Sequence, residues 1–521
     1  MPLKWGLIAG AFGQLACSLI VDTSSVQCRA DADCRALGSG YDTCSADGVC
    51  VHGAIPQNNG QDPVEGPPGC FRGTPVNDLD FLNQCTKAQF LKFDNCDRLR
   101  LCDDGVIPTM DPPPTPPVTP PDTGTLSPPA LGCYDAQLRI KVIFMQGSTN
   151  FTPFIQAMAP LVARGGYVIV WQPTSSCAGA AAGGFDGAPG KNLMKNPTTP
   201  GQSYASFYDA AGTATPCLLG NSPSSHDGMS EPTDIGESDV FASSCPLPAG
   251  QAPWVPGAIP YADVAHYTGP IQAMVFVVPP SSTQRVISAE AARMAFGMGG
   301  NKAAARPWID PAFMYMRGST TGTNNILSRA IDINPSKWWG IDKKTAPAMQ
   351  AAVLTASTDT SEKTIGTLSI DFADRVKDSL HILSFQAKGQ LAGFLPDATP
   401  SGRDKQNVRD GHYSPWGPIH LYTRLLAGQP TPQATAFILP FNVPNQALID
   451  ATIAGGSVPV CAMRVTRDQE MGPLKAFSPG FQCHCYYELK VNGGNDCTQC
   501  TGAAACPAGK PACNLGFCEV D

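Results

Sequence analysis

Four short polar segments in the middle of the chain carry residue types that can hold an oxyanion. They are QGSTNF at 146–151, PTSSCAG at 173–179, TDIGESD at 233–239 and RGSTTGT at 317–323. Each follows an apolar run typical of a strand, so its small residues can offer backbone N–H groups. A buried oxyanion needs several such donors, because its charge is otherwise too costly to remove from water. The four segments together indicate an anion site.

Hydroxyl groups and one guanidinium are the side-chain donors of these segments. The hydroxyl residues are Ser148, Thr149, Ser175, Ser176, Thr321 and Thr323. Arg317 adds a planar fork that can bond two oxygens at once. Ordinary explanations remain open for each residue, since serine and threonine are common in turns, Asp239 could cap a helix or turn, and Arg317 could form an interdomain salt bridge.

The apolar runs that precede these segments predict the fold class. LRIKVIFMQG, GGYVIVWQP and IQAMVFVVPP are short and nearly continuous, and helical patterns such as ISAEAARMAFG lie between such runs. This pattern is typical of buried parallel strands with helical crossovers. The proline-rich stretch DPPPTPPVTPPDTG at 111–124 predicts an extended spacer and marks a domain boundary.

Length and charge narrow the function classes. A chain of 521 residues is long enough for several domains. Its 35 basic and 43 acidic side chains give a net charge of -8, and no basic block stands out. A nucleic-acid partner is therefore not expected, and any attraction for an anion must be local.

Cysteine usage points to an oxidising compartment. Twenty-one cysteines suit the cell envelope or the exterior, where disulfides persist. The N-terminus begins MPLK followed by a short apolar stretch, as in a secretory signal, and that stretch is too short to span a bilayer. QLACS resembles a bacterial lipoprotein cleavage box, so we expect a lipid anchor on Cys17, with plain secretion as the alternative. The expected location is the bacterial envelope, as a periplasmic or outer-membrane lipoprotein.

The cysteines fall into groups of even size. Cys133, Cys177, Cys217 and Cys245 form a group of four in the central region, for which we predict two bridges. Eight more lie between Cys461 and the end, where disulfides are expected and zinc binding by CHC and CTQC is the alternative. We expect no metal and no cofactor. Since no G-x-S-x-G or H-E-x-x-H motif occurs, we also do not expect an enzyme.

The ordered set of segments resembles the periplasmic phosphate-binding proteins that serve ABC transporters. QGSTNFTPF is similar to that family's first ligand loop, SSCAG to its second, TDIGESD to its strand ending in aspartate, and RGSTTGT to its arginine loop. KTIGTLSIDFAD and GHYSPWGPIHLY resemble two further strands of the family. The resemblance covers about 300 residues in the same order.

The resemblance implies a ligand-binding set, a selectivity rule and a set of partners. The implied set is Ser148, Thr149, Asn150, Phe151, Ser175, Ser176, Asp239, Arg317, Thr321, Gly322 and Thr323. A carboxylate such as Asp239 repels an anion unless the ligand donates a proton, which phosphate can do and sulfate near neutrality cannot. The partners implied are phosphate or a similar oxyanion, an ABC transporter permease, and the membrane through a lipid anchor.

The chain departs from the family at several points. Thr321 replaces a serine, Ser319 replaces the acid that supports the arginine, and Cys177 replaces a glycine. A long insertion carrying Cys217 separates the second segment from the third. The rival interpretation is therefore an envelope surface or interaction lipoprotein with a vestigial binding cleft.

The resulting expectation is a bilobal α/β domain of the periplasmic-binding-protein-like type II fold, flanked by small disulfide-rich regions. The predicted divisions are a signal peptide with a lipobox-like site at 1–17, a cysteine-rich region at 18–104, a proline-rich linker at 105–130, a solute-binding domain at 131–445, and a cysteine-rich region at 446–521. Lobe 1 is expected at about 131–268 and 401–445, and lobe 2 at about 269–400.

Overall fold

The computed structural model describes residues 43–44, 50–51, 66–99, 126–134, 141–182, 193–225, 228–245, 264–299, 305–442 and 445–520. The segment predicted to be a signal peptide, Cys17 and the proline-rich stretch at 111–124 lie outside these residues. The corresponding predictions therefore stay predictions, as do the domain boundaries.

A ten-stranded mixed sheet forms the centre of the central domain. The strands used below are β1 (Val142–Ser148), β2 (Val168–Thr174), β3 (Ile235–Ser238), β4 (Val264–Val278), β5 (Gly366–Ser369) and β6 (Trp416–Leu426). The helices used below are α1 (Thr152–Arg164), α2 (Ser176–Ala180), α3 (Gly322–Ala330) and α4 (Ile370–Arg375). The sheet order is β5, β4, β6, β3, β1, β2, followed by Ala205–Tyr208 and Ala214–Cys217.

The first lobe is built on a parallel β1–α1–β2 unit. β1 is buried along its whole length and pairs in parallel with both β2 and β3. The apolar face of α1 packs on this sheet through side chains such as Phe154 and Met158. Because the carboxyl ends of parallel strands meet at one edge, the polar segments after β1, β2 and β3 are brought together.

Two long antiparallel strands connect this lobe to the second one. β4 pairs with β6 from Val264 to Ala273 with an irregularity between Thr268 and Ile271, and its later residues pair with β5. The expectation that IQAMVFVVPP is a parallel strand was therefore wrong. The apolar run is buried as expected, but it is a crossing strand whose partners all run antiparallel to it.

The second lobe has its own layers and core. A four-stranded sheet contains Val286–Ser288, Ser384–Gln386, Gly393–Phe394 and Phe90–Leu91. Its core includes Phe276, Phe296 and Phe385, whereas the first lobe has a separate cluster around Phe154 and Trp171. The predicted bilobal α/β fold with disulfide-rich ends is therefore confirmed. The other helices are Asp78–Leu82, Asn95–Leu99, Ala289–Met298, Ala346–Leu354, Gln406–Asp410, Pro432–Asn442, Gln446–Ala454 and His484–Asn492.

The cysteine-rich ends pack on the central domain. Phe90–Leu91 extends the sheet of the second lobe, and the helix Gln446–Ala454 packs against α1. All eight C-terminal cysteines form disulfides: Cys461–Cys483, Cys485–Cys497, Cys500–Cys513 and Cys506–Cys518. The zinc alternative was wrong, because these sulfurs bond to one another. In the part of the chain that the structure describes, no helix has the length and apolar character needed to cross a bilayer.

The four central cysteines form the two bridges expected of them, Cys133–Cys217 and Cys177–Cys245. The first joins the start of the domain to the insertion, whose strands Ala205–Tyr208 and Ala214–Cys217 lengthen the sheet beyond β2. The second joins the segment after β2 to the segment after β3. It therefore lies beside the candidate site.

Candidate functional site

Asp239 is the centre of a buried polar cluster. It directly follows β3 and is 1 % exposed. Its Oδ2 accepts hydrogen bonds from Ser148 Oγ at 2.5 Å, Asn150 Nδ2 at 2.9 Å and Ser176 Oγ at 3.1 Å. Asp239 thus binds the segments after β1 and β2 together. All three contacts are to side chains, so the carboxylate does not cap a helix through them.

Hydrogen bonds across the lobe interface complete the cluster. Gly322, the first residue of α3, donates its N–H to Ser176 Oγ at 2.8 Å. Asn150 Nδ2 donates to Thr323 Oγ1 at 2.9 Å, and the N–H of Cys177 donates to Thr320 O at 3.1 Å. The segments after β1 and β2 are therefore hydrogen-bonded to the segment at 317–323 across the interface, and Asp239 bonds both of them within the first lobe.

Arg317 reaches into the same cluster from the second lobe. It is 1 % exposed, and its Nη2 donates to Thr149 Oγ1 at 3.1 Å. Burial lowers the pKa of its guanidinium to about 10, while the charges of Asp342 and Asp239 act in the opposite direction. Arg317 is therefore still a cation at neutral pH. Its Nε has no hydrogen-bond partner among the described residues.

Asp342 is an acid that acts on Arg317 from outside its segment, whereas the family resemblance implied such an acid at position 319. The short strand Ile341–Asp342 pairs in parallel with Tyr315–Met316, which immediately precedes Arg317. This pairing places a carboxylate near the guanidinium from a separate part of the chain, and its charge supports the protonated form of Arg317. A linear motif could not reveal it, because the pairing is non-local.

Two further carboxyl groups were missed by sequence reasoning. Glu237 is fully buried, and its Oε2 accepts the N–H of Ser148 at 2.6 Å. Asp371 in α4 accepts from Gln272 Nε2 at 3.0 Å, and the same amide lies 3.3 Å from the carbonyl oxygen of Asn150. Position 237 could have been found from strand alternation, since residues two apart share a face.

Burial governs the protonation of all three carboxyls. It raises the pKa of Asp239, although the hydrogen bonds from Ser148, Asn150 and Ser176 oppose the shift. It raises the pKa of Asp371 to about 7. Burial and the charge of Asp239 together raise the pKa of Glu237 well above its ordinary value. The cluster therefore holds acidic groups that gain protons easily.

Three residues of the expected set have side chains engaged elsewhere. The ring of Phe151 stacks on Phe154 at a centroid distance of 4.7 Å and lies in the first-lobe core. Ser175 accepts the N–H of Ala178 at 3.3 Å and so caps α2. Thr321 caps α3 and donates to Gly318 O at 2.8 Å. Their side chains therefore have structural roles in this arrangement.

Within the described residues, the side chains close enough together to hold a metal ion are those of Cys500, Cys506 and Cys518, far along the chain from the cluster. Their sulfurs belong to disulfides and are not available as thiolate ligands. The chemistry of the candidate site therefore rests on hydroxyl, amide, carboxyl and guanidinium groups.

No family model matches this chain, and no curated protein sequence is similar to it. Comparison with solved structures finds a protein from Clostridium perfringens, assigned as a phosphate ABC transporter substrate-binding protein and solved with bound phosphate. It is 11% identical with a TM-score of 0.38, over 61% of this chain and 100% of that one. An ABC-type phosphate transport receptor from Vibrio cholerae is also 11% identical, with a TM-score of 0.35, over 61% and 99% of the two chains.

OxyR from Corynebacterium glutamicum is found at a similar level. It is 10% identical with a TM-score of 0.30, over 61% of this chain and 69% of that one. Because one fold can serve many functions, the function is inferred from the residues of the site.

Proposed function

We propose that the chain is an exported solute-binding protein that captures phosphate or a similar oxyanion between its two lobes. The observation that carries the proposal is the convergence of donors from both lobes, with Arg317, around the buried carboxylate of Asp239. Uptake through an ABC transporter permease and anchoring by a lipid on Cys17 are parts of the same proposal.

Binding would use hydroxyl and amide donors first and the charge of the second lobe afterwards. Ser148, Asn150 and Ser176 lie on the first lobe and would hold the anion. Closure of the second lobe would then add Arg317 and the N-terminal end of α3, where the helix dipole favours negative charge. Micromolar affinity corresponds to about 8 kcal/mol. A set of charge-assisted hydrogen bonds of this size can supply it.

Asp239 gives the proposal its selectivity. Asp239→Asn removes the requirement for a protonated ligand, because the amide can donate to an unprotonated oxygen. We expect phosphate affinity to fall about tenfold and sulfate to become an effective competitor. Retention of radiolabelled phosphate by ligand-stripped protein, with sulfate as competitor, measures both effects. Asp209→Asn, the same change on the exposed surface of the first lobe, should leave both unchanged.

The second candidate is an envelope surface or interaction protein with a vestigial cleft. It is favoured by the direction of the donors, since Ser148, Asn150 and Ser176 all bond the carboxylate of Asp239. Because the carboxylate of Asp239 already satisfies these donors, the cleft does not require a bound anion. Absence of phosphate, arsenate and sulfate binding in wild-type protein, measured by calorimetry, would select this candidate over the first.

The Cys177–Cys245 disulfide should support ligand affinity. It ties the residue after Ser176 to the segment after Asp239, and so limits the freedom of two proposed ligand loops. Replacing both cysteines by alanine should weaken phosphate binding by up to about tenfold, because the loops must then be ordered on binding. Calorimetry measures the change.

The matched control is the double alanine variant of Cys133 and Cys217. The two bridges have similar sequence separations, 68 and 84 residues, so their removal should cost comparable loop-closure entropy. Equal losses of phosphate affinity in the two variants would contradict the positioning role and indicate general destabilisation.

A further inference from the structure

Glu237 has no part in the proposed capture of the anion, yet it lies against the residue at the centre of the site. Glu237 lies in β3 and Asp239 directly follows it, and both accept from Ser148, Glu237 from its N–H and Asp239 from its Oγ. Both are buried, at 0 % and 1 % exposure. Two carboxyl groups are thus held together away from water.

The hydrogen bonds of the pair leave one oxygen on each carboxyl without a donor. Glu237 Oε2 accepts the N–H of Ser148, and Asp239 Oδ2 accepts from three side chains. Within the described part of the chain, Glu237 Oε1 and Asp239 Oδ1 are buried and have no donor directed at them. Buried oxygens without partners are costly. One proton between the two would satisfy both.

We propose that Glu237 and Asp239 share one proton through Glu237 Oε1 and Asp239 Oδ1, and that Glu237 is thereby a positioning residue for the anion site. The pair then carries a single negative charge. Two ionised carboxylates buried side by side would repel each other strongly. Burial and the charge of Asp239 raise the pKa of Glu237, in agreement with this assignment.

The charged and titratable groups around the pair favour retention of the proton. Arg317 acts on Asp239 from the second lobe, and Asp371 acts on it from α4. Tyr422 of β6 lies within electrostatic range of Glu237. Glu470 also lies within electrostatic range of Tyr422. Arg317 is the cation that acts on the pair itself. Arg375 acts on Asp371, and Arg329 and Arg467 act on Glu470, so these cations compensate other acids and an additional negative charge on Glu237 would be poorly compensated.

For the ligand, which enters through the proposed function, the shared proton fixes the charge and direction of Asp239. Oδ1 is turned toward Glu237, and Oδ2, which accepts from three side chains here, would accept the hydroxyl of a protonated oxyanion when those three donors turn to the ligand. Loss of the shared proton at high pH would place a second negative charge beside the anion. Binding should therefore weaken at high pH by more than the titration of the ligand explains.

Glu237→Gln tests the shared proton without any ligand. The amide oxygen can still accept the N–H of Ser148 and the amide nitrogen can donate to Asp239, but the group cannot ionise. An acid whose folded-state pKa is raised stabilises the fold less as pH rises from its unfolded pKa to its folded one. Relative to the variant, the folding equilibrium constant of wild type should fall by up to tenfold per pH unit.

Melting temperatures of wild type and Glu237→Gln, measured from pH 5 to pH 8, report this difference in stability. The variant should become increasingly more stable than wild type as pH rises. Glu290→Gln, at a half-buried position in the helix Ala289–Met298, is the matched control and should not reproduce this growing difference. In the Asp239→Asn background the effect of Glu237→Gln should be smaller. A pH-independent difference between wild type and Glu237→Gln in both backgrounds would overturn the proposal.

Phosphate calorimetry on the same two proteins separates this inference from the proposed function. The ratio of the two dissociation constants cancels the titration of phosphate itself, and wild type should become the weaker binder as pH rises. If neither protein binds phosphate while the melting difference grows with pH, the proposed function fails and the shared proton stands. If both bind equally at every pH and the melting difference is flat, the shared proton fails alone.

Discussion

Arg317→Ala should weaken phosphate binding by roughly 30-fold or more, because it removes the buried cation from the proposed site. Truncating one partner of a buried, hydrogen-bonded charge pair costs roughly 2–5 kcal/mol, and each 1.4 kcal/mol is about tenfold in affinity. Arg317 is buried and still protonated at neutral pH, so its full charge would act on the anion. Isothermal calorimetry with phosphate measures the loss.

Two further variants identify the cause of that loss. Arg317→Lys keeps the charge but lacks the planar fork, so its affinity should lie between those of wild type and Arg317→Ala. Arg329→Ala removes an exposed arginine at the other end of α3 and should leave phosphate affinity unchanged. Wild-type affinity in Arg317→Ala, with an intact melting transition, would show that the anion is not held between the lobes.

The parts of the fold that local pattern determines were predictable. β1 and β2 were found from continuous apolar runs, since burial on both faces requires them. The direction of β4 was not, because the same apolar run serves a parallel strand inside one lobe and an antiparallel strand crossing to another. Strand direction depends on which element comes next in space. Composition alone does not contain that information.

The site divides in the same way. The segments after β1, β2 and β3 could be grouped in advance, because donors at the carboxyl ends of neighbouring parallel strands must lie close together. The side chains of Ser175 and Thr321 were assigned to the ligand, although hydroxyls at these positions serve helix N-termini. Asp342 was missed because a strand pairing, rather than sequence proximity, brings it to Arg317.

Disulfides show the difference between counting and pairing. Even groups of cysteines indicated that all would be bridged, and the eight C-terminal cysteines are. Eight cysteines allow 105 pairings, and nothing local distinguishes them. Three of the four observed bridges close short loops of 12 or 13 residues and one spans 22. Closing such short loops costs little entropy, which favours bridges between cysteines close in sequence. Which of these nearby cysteines pair with each other still depends on the folded chain.

Gly322→Ala should prevent the lobes from meeting as they do and should weaken phosphate binding by roughly 5- to 150-fold, the range given by about 1–3 kcal/mol of overpacking. A Cβ at Gly322 would lie 2.3 Å from Asp239 Cβ, 2.4 Å from its Oδ2 and 2.7 Å from Ser176 Oγ. Alanine is otherwise favoured over glycine in a helix, so the loss would come from these contacts alone. Small-angle scattering should show a more open particle.

Gly318→Ala is the matched control, in the same segment of the same lobe. Its nearest contact would be 3.2 Å, to Asp342 Oδ2, so a small adjustment accommodates the methyl group. Affinity and particle size should stay close to those of wild type. If Gly322→Ala also binds phosphate like wild type, the close approach of α3 to Asp239 is not required for binding, and the anion would have to be held by the first lobe without closure. The contact at Gly322 therefore decides whether capture between two lobes is the mechanism.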